Sequence, residues 1–448
     1  MGKILGNRIA LWAAGLMLGG PLLAQPADLP LPRAVMDADY APVDMAEAML
    51  GRDLFFDPVL SGNRNISCAS CHHPRFATSD GLPLGLGEGG IGLGPARRAD
   101  PANLPEQRIP RNSPALFNLG ALEFTRLFHD GRIEADPARP SGLRTPMEEE
   151  MVTGFVSVLS AQTMFPVLSP DEMAGHYSEN DISKAVRSGR ITGPGGAWDR
   201  ISARVAALPA YRTRFEEIYP EIAAGRPIAF TDISNAIAAF IAAEWRSDSS
   251  RFDAVLRGTE TFSATEAEGA ALFFGPKGCS ECHSGPFQTD HDFHAMAAPQ
   301  IGPGKAERFE NHSRDDGRFR VTGQPGDRFA FRTPSLRNVV QTGPWGHAGA
   351  HADLRAFLAD HAARSEGLAQ YRRDAPLPDL PGTKPDWAIL DAPAEVAVIA
   401  AAAGPGQMLS TAELDALMAF LATLSDPVAL RGRMGIPETV PSGLPVDR

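Results

Sequence analysis

The pattern Cys-x-x-Cys-His occurs twice, as Cys68-Ala-Ser-Cys71-His72 and as Cys279-Ser-Glu-Cys282-His283, and the two copies use all four cysteines of the chain. Two thiols separated by two residues can add across the two vinyl groups of one haem. The histidine that follows directly then reaches the iron as proximal ligand. A four-cysteine zinc site would need both pairs brought together and would leave His72 and His283 without a role. Two disulfides suit an oxidising compartment, but Cys-x-x-Cys loops are more often redox-active than structural. The pattern therefore reads as two covalently bound haems c, one on Cys68, Cys71 and His72 and one on Cys279, Cys282 and His283.

At 448 residues the chain has room for two or three domains, and 43% hydrophobic with 21% charged residues is ordinary for a protein with a sizeable core. A formal net charge of −12 argues against nucleic acid or an anionic membrane surface as partner and suits a small basic electron carrier. Lys3 and Arg8 followed by an apolar run from Ile9 to Leu23, with Leu22-Leu23-Ala24 before Gln25, predict a signal peptide over 1–24. No second apolar run of membrane-spanning length follows, so no stable membrane insertion is expected after cleavage. Haem is attached to this motif outside the bacterial inner membrane, which predicts the periplasm.

Helical periodicity is clear over 45–55, 198–219, 231–256, 265–274, 353–364 and 411–424. Gly81 to Gly94 holds seven glycines in fourteen residues and reads as an irregular loop over a haem edge, since no P-loop pattern is present. The stretch 288–331 is polar with no clear strand pattern. The expected class is mostly α, with two cytochrome c-like haem domains and long connecting loops. The expected boundaries are a leader tail over 25–45, an amino-terminal haem domain over 46–250, a carboxy-terminal haem domain over 251–425 and a tail over 426–448.

Further segments run in a characteristic order: Arg111-Asn112-Ser113-Pro114, Leu127-Phe128-His129-Asp130-Gly131-Arg132, Ser169-Pro170-Asp171-Glu172-Met173, Phe252-Asp253 and Arg332-Thr333-Pro334-Ser335-Leu336-Arg337-Asn338. Together with the haem motifs, this order resembles the bacterial dihaem cytochrome c peroxidases and their relatives of the MauG type, over roughly 50–425. The resemblance implies that peroxide reacts at the amino-terminal haem, whose proximal ligand is His72, and that the His283 haem takes in and relays electrons. It implies that Glu172 moves the proton during peroxide cleavage and that Gln162, ten residues earlier, supports it. It also implies a calcium ion held by Asn112, Thr342 and Pro344, whose oxygen ligands suit a hard cation.

Three departures stand out. Where the family can carry a histidine that caps the first iron, this chain has Glu88, which predicts an open or water-filled sixth site. Candidates for the sixth ligand of the second haem are Met296, His291, His294, His312, His347, His351 and His361. The family places Met or Tyr fourteen residues after the His347 position; here that residue is His361, which predicts bis-His ligation and a lowered potential. A tryptophan that often bridges the haems is replaced by His129, leaving Trp198, Trp245 and Trp345 as substitutes.

The expected function is a periplasmic peroxidase that reduces hydrogen peroxide with electrons from a small cytochrome c or cupredoxin, with a homodimer allowed. One alternative is a MauG-like enzyme that oxidises side chains of a partner protein. Another is a non-catalytic electron-transfer cytochrome with both irons six-coordinate.

Overall fold

The structure, a computed structural model, describes residues 29–306 and 310–448; the expected signal peptide lies outside the described residues. Its architecture is mostly helical, and its strands form short ribbons of two or three. Two crossed helix pairs carry the fold.

In the first pair, the helix Met45–Phe56 starts at Asp44, whose carboxylate accepts the Ala46 amide at 2.7 Å. Its buried Leu50, Leu54 and Phe55 pack against the helix Phe230–Glu244. The closest approach is at Gly51, where a Cβ would stand 1.7 Å from the Ala236 carbonyl oxygen, so only glycine lets the helices cross there. The second pair, Ala264–Phe273 and Thr411–Ala422, repeats the design. Each of these helices opens on a reciprocal capping box, Ser263 with Glu266 and Ser410 with Glu413. They cross at Gly269, where a Cβ would lie 1.9 Å from the Ala416 carbonyl. In both halves the first helix precedes the Cys-x-x-Cys-His turn, closely in the second half and through the turn Pro58–Leu60 in the first, so each half is a cytochrome c-like unit.

Two main cores follow from this. The first gathers Phe55, Phe56, Tyr211, Phe240 and Trp245, and the second Phe252, Phe273, Phe274 and Phe420. A third, smaller cluster joins Leu84 of the glycine-rich loop to Ile301, Phe329 and Ile399 from the second half of the chain. The carboxy-terminal segment returns to the first core with Ala429 and Val440, and the Ser442 hydroxyl donates to Asp57 at 2.6 Å. Near the amino terminus, Leu29 and Leu31 pack on the second core while Val35 enters the first.

Several elements differ from the sequence pattern for identifiable reasons. The expected helix over 198–219 is divided into Ala197–Ala206 and Pro209–Ile218, because Pro209 lacks an amide hydrogen and starts a new helix. The one over 231–256 is interrupted before Arg251, where the Asp426 carboxylate accepts the amides of Asp248 and Ser249 at 2.9 and 2.8 Å. Within the polar stretch, Phe293–Ala295 pairs antiparallel with Ala330–Arg332.

Beside the joint, within the second half, lies a charge pair with no solvent exposure, Arg337 on Asp253, with Arg337 Nη2 donating to Asp253 Oδ1 at 3.0 Å, and Arg337 Nη1 reaches back to the Ser250 hydroxyl at 3.0 Å. Arg337 also donates to the Pro286 carbonyl, so it ties the start of the second half to the loop after His283. Removing one partner strands a buried charge. We expect Asp253→Ala to lower unfolding stability by about 3–5 kcal/mol in a denaturant titration, and Arg337→Met combined with Asp253→Leu to cost clearly less than the two single losses added.

Candidate active site and haem-binding residues

Each haem motif begins as a single tight 3-10 turn, Cys68–Ser70 in the first half and Cys279–Glu281 in the second. His72 Nδ1 lies 3.0 Å from the Thr78 carbonyl, and His283 Nδ1 lies 3.2 Å from the Gln288 carbonyl. A carbonyl can only accept, so Nδ1 carries the proton in both rings and Nε2 is left as the ligating nitrogen. Burial pushes both imidazoles below their ordinary pKa and keeps them neutral. Thr78 and Gln288 each adopt a left-handed backbone, with φ of 64° and 51°, which turns these carbonyls toward the rings. The Ser113 hydroxyl adds a bond of 2.7 Å to the Cys71 carbonyl. These residues fit two c-type haems.

On the other side of the first haem motif, Glu172 sits in the turn Pro170–Ala174. Gln162, half-buried, ends the preceding short helix Val158–Gln162, and the turn Pro166–Leu168 links the two. Burial pushes the Glu172 carboxyl above its ordinary value, while Lys305 and Arg132 pull it back down. The Glu172 charge, with those of Asp80 and Asp447, also acts on the Cys71 thiol. Burial, then the nearby Arg132 and Arg111, push the Lys305 ammonium down to about 8. Arg132 is fixed by Asp130 at 3.0 Å and lies over the Phe128 ring at 4.7 Å. Lys305 comes from the second half of the chain, inside the polar stretch, where no motif marked it.

Glu88 is fully buried and turned into the protein, where its Oε1 accepts amide hydrogens from Asn63, Asn65 and Asn103 at 3.1, 2.8 and 2.9 Å.

Beside the second haem motif, the His361 and His283 rings face each other with centroids 6.3 Å apart. With metal–nitrogen bonds of about 2 Å, two imidazoles on opposite sides of one metal put their ring centres roughly 6 Å apart. The spacing fits a shared iron. Burial, with His283, Arg364 and His351 adding to it, pushes His361 down to about 3, so it stands neutral. Phe357 stacks on its ring at 5.3 Å. Other candidate histidines have partners elsewhere: His291 with Glu123, His351 with Asp360, His312 accepting the Arg314 amide at 3.2 Å, and His347 stacked on Phe331 at 3.9 Å. His294 bonds Asp290 at 2.8 Å, and these two with Cys282 form the one cluster of potential metal ligands among the described residues. Attachment of haem to Cys282 turns its sulfur into a thioether, so the cluster does not hold a second metal.

Between the halves, His129 Nε2 donates to the Asn112 carbonyl at 3.2 Å, and the His129 carbonyl accepts the Arg332 amide at 2.7 Å. Burial, then Arg111 and His347, push this imidazole down to about 3. Arg111 crosses the same block, paired with Asp130 at 2.7 Å and with Asp315 at 2.6 Å. Asn112 Nδ2 donates to the Pro344 carbonyl at 2.7 Å, while its Oδ1 is buried without a partner. Thr342 lies two residues before Pro344 on the same turn. An orphaned amide oxygen beside a carbonyl is compatible with a hard cation. Of the substitute tryptophans, Trp198 stacks on Phe230 and Trp245 packs on Phe55 and Phe240, both in the first core. Trp345 donates its indole hydrogen to the Val339 carbonyl at 2.9 Å, beside the second core.

Comparisons with known proteins find relatives of the same fold. The family model described as "Di-haem cytochrome c peroxidase" matches residues 45–261. The methylamine utilization protein MauG of Paracoccus denitrificans is 29% identical over 420 residues, covering 90% of this chain and 94% of its own. The cytochrome c551 peroxidase of Pseudomonas aeruginosa is 26% identical over 330 residues, covering 74% and 75%. A solved MauG-like protein associated with microbial copper homeostasis is 26% identical, with a TM-score of 0.55 over 90% of this chain and 95% of that one. The diheme peroxidase BthA from Burkholderia thailandensis, 24% identical with a TM-score of 0.54 over 87% and 88%, shares the fold. With the two haem turns, their proximal histidines and the order of the linking segments, these likenesses make the chain a member of the dihaem cytochrome c peroxidase and MauG family, an enzyme acting on peroxide with two covalently bound c-type haems.

Proposed function

We propose that this protein is a periplasmic peroxidase that reduces hydrogen peroxide to water on the His72 side and draws electrons through the His283 side from a small cytochrome c or cupredoxin. The observation that carries the reading is Glu172, a half-buried carboxyl with a raised pKa whose charge is felt by the Cys71 sulfur and is offset by Lys305 and Arg132. Among the described residues no helix is long and apolar enough to cross a membrane. The net charge of −12 favours a basic donor.

When bound, the haems supply iron that exchanges electrons, and the first also supplies the place where peroxide binds. The chain supplies the proton movements. The Glu172 carboxylate takes the proton from the oxygen nearer the iron and returns it to the far oxygen, so that water leaves in place of hydroxide. The Gln162 amide orients the peroxide by donating to it. Lys305 and Arg132 favour the ionised carboxylate and partly offset the burial that raises its pKa. Two electrons and two further protons complete the reduction to two waters.

His361 as sixth ligand of the second haem lends support to a second reading, MauG-like oxidation of side chains on a partner protein, because bis-His ligation gives a lower potential than Met/His ligation. His129 counts against it, since imidazole is harder to oxidise than the indole it replaces. Sustained oxidation of a reduced small cytochrome by peroxide would favour the peroxidase. Peroxide consumption with negligible cytochrome turnover would favour the second reading.

The reaction with peroxide should slow as pH falls through the raised pKa of Glu172, with a midpoint above the ordinary 4.5 of a glutamate. Glu172→Gln should remove that limb and lower the rate by about 10²–10⁴-fold. Lys305→Met should move the limb to higher pH, because the pull of the ammonium on the carboxylate is lost. A limb unmoved by either change in stopped-flow measurements would take Glu172 out of the mechanism.

Redox titration of His361→Met should show one haem rising in potential and the other unchanged; two unchanged potentials would exclude His361 as a ligand. We also assign calcium to Asn112, Thr342 and Pro344. Chelator-treated protein should take up calcium in a calorimetric titration, and Asn112→Ala should abolish the uptake.

A further inference from the structure

The Glu88 cluster is not accounted for by haem attachment or by the proton movements. Its three amide donors come from two separate segments. Asn63 and Asn65 lie on the approach to Cys68, and Asn103 lies beyond the glycine-rich loop. The Glu88 backbone amide donates to the Asp171 carbonyl at 3.0 Å, one residue before Glu172. A Cβ at Gly87 would stand 2.1 Å from that same carbonyl, so the loop rests backbone to backbone on the turn that bears Glu172. The turn is held from the other side as well: the Gly62 amide donates to the Met173 carbonyl at 2.7 Å, and Asn180 Nδ2 donates to Ala174 at 2.9 Å and to Asn63 Oδ1 at 3.0 Å. Arg97 fixes the loop itself by donating to the Gly87 carbonyl at 2.9 Å and the Gly92 carbonyl at 2.8 Å.

A buried carboxylate that accepts three amide hydrogens on one oxygen is a strong, directional anchor. Here it ties the segment leading into Cys68 to the loop that supports Glu172. We infer that Glu88 is a positioning residue, a latch that sets the turn bearing Glu172 at a fixed height over the first haem motif. The inference rests on the peroxidase reading and adds a residue to it. The role rests on Oε1, which the three asparagines engage; the other oxygen, Oε2, is buried without a partner.

The test uses the full-length holoprotein and the variants Glu88→Gln, Glu88→Ala and Asn103→Ala. Each is followed by stopped-flow reaction with hydrogen peroxide across pH and by hydrogen exchange at the amides of residues 172–174. Glu88→Gln keeps the accepting Oε1 and should react within about threefold of wild type, whereas Glu88→Ala should be slower by about tenfold or more through displacement of Glu172. Asn103→Ala, which keeps the carboxylate, should fall between them. In Glu88→Ala the acid limb should move down toward the ordinary carboxylate value as water reaches Glu172, and exchange at 172–174 should quicken. Faster reaction in Glu88→Ala would overturn the inference and make Glu88 an iron ligand. Unchanged rate and exchange in all three variants would overturn it as well. A wild type inert to peroxide would fell the peroxidase reading alone, because the exchange comparison still decides the latch.

Discussion

The structure depends on two bonds of the same kind, from a proximal imidazole to a backbone carbonyl. His72 to Thr78 and His283 to Gln288 each fix the tautomer, the ring plane and the nitrogen offered to iron. Both carbonyls belong to residues in a left-handed conformation, a local cost that persists only where the surroundings hold it. Those surroundings include the segments 111–114 and 332–338. Ser113 holds the first turn through the Cys71 carbonyl, and the Ser335 hydroxyl holds the second by donating to the Phe287 carbonyl at 2.7 Å. Arg337, buried against Asp253, holds the Pro286 carbonyl beside it. The helix pairs crossing at Gly51 and Gly269 supply the rigid frame beneath each turn.

On this repeated frame the two sites diverge on their far sides. The first has charged groups near its motif, with the Glu172 carboxyl influenced by Lys305 and Arg132. The second presents His361 at a spacing that suits coordination. This divergence is what the proposed function builds on, with peroxide chemistry on one side and electron transfer on the other. The block that joins them contains Arg111, Asp130, Asp315, His129 and Asn112, mostly charged or hydrogen-bonded rather than oxidisable. Electrons crossing it have no indole at the position of His129, and the tryptophans named as substitutes lie in or against the cores.

Much of this was legible in the chain because its strongest signals are local. The Cys-x-x-Cys-His spacing specifies a turn and a ligand together, and the interval from His347 to His361 pointed to the residue that faces His283. The order of short segments indicated the family and, with it, Glu172. What stayed hidden depends on contacts between residues far apart in sequence. Nothing near Lys305 marks it as a neighbour of Glu172, since it comes from a loop of the other half. Glu88 was read as a departure from a capping histidine, but its three asparagine partners come from two other segments and no periodicity joins them. The breaks at Pro209 and before Arg251 were missed because apolar periodicity continues across both, while a missing amide hydrogen in one case and the Asp426 carboxylate in the other end the helix. The return of the carboxy-terminal segment to the first core is likewise a tertiary event that its proline content gave no sign of.

The central claim is that the two irons are ligated unequally in the resting protein, the first open on its distal side and the second closed by two imidazoles. Electron paramagnetic resonance of the fully oxidised holoprotein, before any reduction, tests this most directly. The account predicts one high-spin ferric signal together with one low-spin signal of the bis-histidine type. Two low-spin signals of comparable intensity would contradict it, because the first iron would then be capped and the chemistry assigned to Glu172 would lack a place to occur.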